Sequence, residues 1–69
     1  MKLVYVGIED GEETRALYIN PNHIVDIFIG LDGFIKLMSI HNEKHVVHDV
    51  RGRKRTDIVN FVREVERSF

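Results

Sequence analysis

Along most of the chain, apolar residues recur at every second position in short runs cut by glycine, proline, asparagine and aspartate. A period of two marks a half-buried β-strand, because successive side chains point to opposite faces of a sheet. Residues 2–8, KLVYVGI, are rich in β-branched and aromatic side chains, and EDGEE follows with an Asp10-Gly11 turn. In TRALYI, Leu17 and Ile19 share one face while Ala16 and Tyr18 take the other. Asn20-Pro21-Asn22 must interrupt the run, since proline has no amide hydrogen for a ladder and pushes Asn20 towards extended or turn geometry. IVDIFIG puts Val25, Ile27 and Ile29 on one face, with Asp26 and Phe28 opposite. The Gly30-Leu31-Asp32-Gly33 turn leads into FIKLMSI, the polar HNEK turn leads into HVVHDV, and Gly52 breaks the pattern.

From Thr56 the period lengthens. Ile58, Phe61, Val62, Val65 and Phe69 fall on one stripe of a helix, with Arg63, Glu64 and Arg67 on the side expected to face water. Thr56 or Asp57 is placed to cap its start by accepting bonds from otherwise unpaired amides. Asp57 also suits the positive end of the helix dipole. The pattern predicts an α+β fold in one small domain over residues 1–69. An antiparallel meander of four to five strands, open or curled into a small barrel, occupies about residues 2–50, and one C-terminal helix about residues 56–68.

A single helix covers one face of a sheet. With Val25, Ile27, Ile29, Ile35 and Leu37 turned to the helix, the other face keeps Tyr5, Tyr18, Phe28, Phe34, Met38 and Ile40. That is more contiguous apolar surface than a small monomer leaves in water. Either the sheet closes on itself or a protein covers it. Tyr18, Phe28, Phe34 and Met38 are the expected anchors for a protein partner or for a second copy in a homodimer, since aromatic and methionine side chains dominate interface cores.

Size sharpens this expectation. A chain of 69 residues buries only roughly 60% of its unfolded surface, and self-association is one of the usual supplements at that size. There is no cysteine, so disulfides and thiolate zinc sites are excluded. The first apolar stretch ends at Glu9-Asp10, far short of the roughly 20 residues of a membrane helix, and lacks a signal-peptide cleavage pattern. A cytoplasmic protein is expected.

The formal net charge of −1 hides an asymmetry: residues 1–35 carry a balance of −4 and residues 36–69 one of +3. Arg51, Arg53, Lys54 and Arg55 hold most of the excess, just before the helix. They are candidate phosphate contacts, to which a helix N-terminus adds free amides. A phage or bacterial nucleic-acid-binding regulator is therefore the alternative function. The chain has no tryptophan, and it lacks the aromatic and basic interleaving of single-strand binders.

Other chemistry has little to stand on. His45 and His48 are three apart, which converges on a helix and diverges on a strand. His41 and His45 are placed to approach across the HNEK turn, near Asp49, yet no metal and no other cofactor is expected. Ser39 and Ser68 lie in no nucleophile elbow, and the glycines are too dispersed to cradle a phosphate. Glu9, Asp10, Glu12 and Glu13 lack the spacing of a calcium loop. No catalytic residue, small-molecule substrate or enzymatic activity is expected.

Three stretches also carry a resemblance. ALYINPNHIVDIF, FIKLMSIHNEKHVVHDV and the helical IVNFVREV follow one another in an order that resembles the small FlbD-type flagellar and swarming-motility proteins. The likeness spans residues 14–65 and rests on hydrophobic positions and turns. It implies a strand meander followed by a helix, and a non-enzymatic role in a bacterium.

Overall fold

The computed structural model describes residues 1–10 and 14–69, and the expected Asp10-Gly11 turn lies outside them. Among the described residues the fold is α+β. Its elements run β1 (Val4–Asp10), β2 (Thr14–Ile19), β3 (Ile24–Ile29), β4 (Phe34–His41), β5 (Lys44–Lys54) and α1 (Ile58–Arg67). The antiparallel strands form two sheets, β1–β2 and β3–β4–β5, where the alternation alone predicts one meander. The division falls at Pro21. A single 3₁₀ turn, Pro21–His23, separates the sheets, and the Asn20 side chain accepts the Asn22 amide at 2.9 Å to hold it. Proline suits a first-turn position, where no amide donor is needed, and cannot continue the ladder of β2.

Both sheets turn their inner faces to one core. Val4, Val6 and Ile19 come from β1–β2, Ile35, Leu37 and Val50 from β4 and β5, and Phe61 and Val65 from α1. Sheet, sheet and helix thus share one core, while Tyr5, Tyr18, Phe28, Phe34, Met38 and Ile40, the set expected on the other face, stay outside it. The Lys2 amide donates to the Ser68 carbonyl at 2.8 Å, tying the start of the chain to the end of α1.

The sheets do not close into a barrel. β1 and β5 approach at Gly7, where a Cβ would stand 2.6 Å from the Arg51 Cβ and φ is +148°. No ladder joins these two strands. Only glycine tolerates both that backbone conformation and that contact.

Bulges reset the alternation. Val6 is the extra residue of β1, between the Tyr5–Tyr18 and Gly7–Leu17 pairs. Val25 is the extra residue of β3, between Ile24–Ser39 and Asp26–Met38. Ile24 and Ile27 therefore pack against the core, while Val25 is 51% exposed. Ile29, at the strand end, is also exposed, whereas Ile35 and Leu37 are fully buried as their phase predicts. Of the five residues assigned to the helix-facing set, Val25 and Ile29 are thus corrected to the surface.

Gly52 does not end β5, which continues to Lys54. Its φ of +59° bends the strand, and the register passes from Lys36–Asp49 to Phe34–Lys54. A 3₁₀ turn, Arg55–Asp57, then leads into α1, with the Ile58 amide bonded to the Arg55 carbonyl. Asp57 holds the cap position without a side-chain hydrogen bond, so the turn's backbone does the work expected of a cap. Phe61 and Val65 are buried and Ile58 and Val62 half-buried, while Phe69 lies beyond the helix in solvent. No helix among the described residues is long and apolar enough to cross a membrane.

Candidate functional site

The outer face of the three-stranded sheet is built by strand alternation. Ile35, Leu37 and Ser39 of β4 point inward and are buried, so Phe34, Lys36 and Met38 point outward. Register places Asp26 of β3 and Val47 of β5 on either side of Met38, and Phe28 and Asp49 on either side of Lys36. Residues opposite one another in a sheet share a face. Phe28, Phe34, Met38 and Val47 therefore form an apolar surface on one side of the sheet. The three larger side chains are half-buried, and Val47 is exposed.

Two cations share that face, Lys36 between Phe34 and Met38 and Lys54 opposite Phe34. Lys36 Nζ donates to Asp32 Oδ2 at 2.7 Å and also to Asp49. The hydrogen bond from Lys36, then the one from the Phe34 amide, hold the Asp32 carboxyl below the ordinary carboxylate value. Bonds to Asp32 and then Asp49 raise the Lys36 ammonium above its ordinary value. Lys36 is thus paired on both sides, while Asp26 opposite Met38 and Lys54 opposite Phe34 put exposed charge beside the apolar residues.

Of the four predicted anchors, the structure brings Phe28, Phe34 and Met38 together. Tyr18 lies in the other sheet, opposite Tyr5, with ring centroids 5.2 Å apart. Both tyrosines are exposed and form a separate aromatic pair. Val47 is the member of the face that the residue pattern left out. Its signal was present: with His48 turned inward on a strand, Val47 must point outward.

The basic segment is also divided. Arg53 Nη1 donates to Glu64 Oε2 at 2.7 Å, and its guanidinium lies 5.3 Å from the centre of the buried Phe61 ring. Arg51 reaches the Tyr5 hydroxyl at 3.5 Å. Lys54 lies opposite Phe34 in the ladder, and the Arg55 amide donates to the Gly33 carbonyl. Arg51, Lys54 and Arg55 remain exposed, and Arg53 is half-buried against the helix.

The histidines separate as strand alternation requires. His45 lies opposite Ile40 and His48 opposite the inward Leu37. His48 Nε2 and Ser39 Oγ are 3.1 Å apart, which satisfies the buried serine. The His41 ring lies beside that of His23, tilted to it with centroids 6.1 Å apart. His23, His41 and His48 border an open cleft of ≈ 370 Å³ between β2 and the larger sheet. No group of three or more metal-ligating side chains occurs among the described residues.

Comparison with known proteins finds no matching family model, no matching curated protein and no matching solved structure.

Proposed function

We propose that this chain is a small non-enzymatic interaction module that self-associates and presents the outer face of β3–β5 to a protein partner. Its setting would be the bacterial cytoplasm, as a motility or regulatory accessory protein of the kind the FlbD-type resemblance implies. The observation that carries this reading is the face itself. Phe28, Phe34, Met38 and Val47 are gathered on one side of a sheet, and Lys36 among them is paired with two carboxylates. Aromatic and methionine side chains are enriched at interface centres. The test is a photo-crosslinking residue in place of Phe28, in the native cell. It should trap a discrete protein, while the same residue in place of Val59, exposed on α1, should not. No product at Phe28 would contradict the reading.

The second reading is phosphate or nucleic-acid binding. It is favoured by the exposure of Arg51, Lys54 and Arg55. Binding of this kind falls steeply with salt and is lost when the three are replaced by serine. Binding that ignores salt, or none at low salt, would remove it.

A further inference from the structure

We propose that Tyr5 and Tyr18 form an oxidative cross-linking site, at which a haem peroxidase and hydrogen peroxide join the two phenol rings and staple β1 to β2. The chain has two tyrosines, and the fold sets them directly opposite each other in the β1–β2 ladder. Their ring centres are 5.2 Å apart and their planes are tilted by 52°, within the roughly 4.5–7 Å of packed aromatic pairs. Tyr5 is 44% and Tyr18 55% exposed, so an oxidant reaches both rings from solvent. With no cysteine and no tryptophan in the sequence, a phenol is the side chain here that most readily gives up an electron and a proton together. Arg51 Nη1 donates to the Tyr5 hydroxyl at 3.5 Å, which leaves that hydroxyl's own proton free to depart.

Atoms and electrons balance. Each phenol loses one electron and one proton, and hydrogen peroxide takes up both pairs to become two molecules of water. The haem passes the electrons on and ends unchanged. The two phenoxyl radicals then couple through a carbon next to each oxygen-bearing carbon, forming one carbon–carbon bond. The hydrogen on each joined carbon moves to the phenoxyl oxygen, which restores both rings and both hydroxyls. Placement across one ladder makes this coupling intramolecular, and so faster than an encounter between chains in dilute solution. The bond closes the chain between residues 5 and 18 and restricts the unfolded state as a disulfide would. A domain of this size gains from such a staple, and without cysteine the chain cannot form a disulfide.

The test is treatment of dilute protein with haem peroxidase and hydrogen peroxide, followed by mass spectrometry of the denatured chains. The main product should be a single chain lighter by two hydrogen atoms, in at least about tenfold excess over linked chains. Digestion should yield one joined fragment pair carrying Tyr5 and Tyr18. Methionine oxidation adds oxygen instead and is told apart by mass. Tyr5→Phe and Tyr18→Phe, each of which keeps its ring, should both lose the product. The coupled chain should melt at a higher temperature than the uncoupled one, because the bond forms where the folded ladder already holds the rings. Linkage only between chains, no linkage at all, or a single-chain product that survives either variant would overturn the site. A coupled chain that melts lower would overturn it too, since coupling would then have required the ladder to open.

Discussion

Arg53 spans from the end of β5 to α1. Its Nη1 donates to Glu64 Oε2 at 2.7 Å, and its guanidinium lies 5.3 Å from the centre of the Phe61 ring. This residue holds the helix on the sheets, and the run RGRKR is therefore not a uniform basic patch. Replacing Arg53 by serine should cost about 1–2 kcal/mol, since it removes a cation over an aromatic face, an ion pair and the cover of a buried ring. Arg55→Ser should change stability by less than about 0.5 kcal/mol. Urea unfolding of the two variants checks the contrast, and equal effects would contradict it.

The crossing of β1 over β5 depends on Gly7. Gly7→Ala should destabilise by about 2–4 kcal/mol, since its methyl group meets Arg51 at 2.6 Å and φ is +148°. Gly52→Ala should cost only about 1–2 kcal/mol, because open space surrounds it and φ of +59° is the sole obstacle. Denaturant midpoints of the two variants would show the order.

A gain in stability is available at the β4–β5 turn. Asn42 and Glu43 have φ of 50° and 66°, the left-handed pair of a type I′ turn. Asparagine tolerates that region and glutamate does not. Glu43→Gly creates the favoured Asn-Gly pair and should raise stability by about 1 kcal/mol, read as a higher melting temperature. A lower one would contradict the turn assignment.

The Asp32–Lys36 pair sets an acid-side dependence. Lys36 holds the Asp32 carboxyl below its ordinary value of 3.8, so the folded state takes up that proton less readily than the unfolded chain. The resulting stability is present above the unfolded value and is lost as pH falls through the lower folded one. For Lys36, raised from 10.5, the contribution is present below the unfolded value and lost as pH rises through the higher folded one. Urea midpoints between neutral pH and about pH 2 should therefore fall less steeply in Asp32→Asn than in the wild type. Parallel slopes would contradict the assignment.

What could be read from the residues alone was set by period. The helical stripe through Phe61 and Val65, the strand phase of Ile35 and Leu37, and the divergence of His45 from His48 all follow from local spacing. The division into two sheets does not, because Pro21 announces a break without saying that the chain will change sheets. Bulges leave no mark in composition either. Val25 is a β-branched residue in an apolar run, and only its pairing shows it to be the extra one. The candidate face is visible in Phe28, Phe34 and Met38, while Tyr18 falls in with them because alternation within one strand says nothing about which sheet the strand joins. Arg53 looked like its basic neighbours since its partners, Glu64 and Phe61, come from a helix whose docking only the fold reveals.

Self-association is part of the proposed function, and solution mass reaches it most directly. Sedimentation equilibrium over a concentration series should give twice the 8.1 kDa chain mass. A single species of 8.1 kDa at every concentration would contradict it.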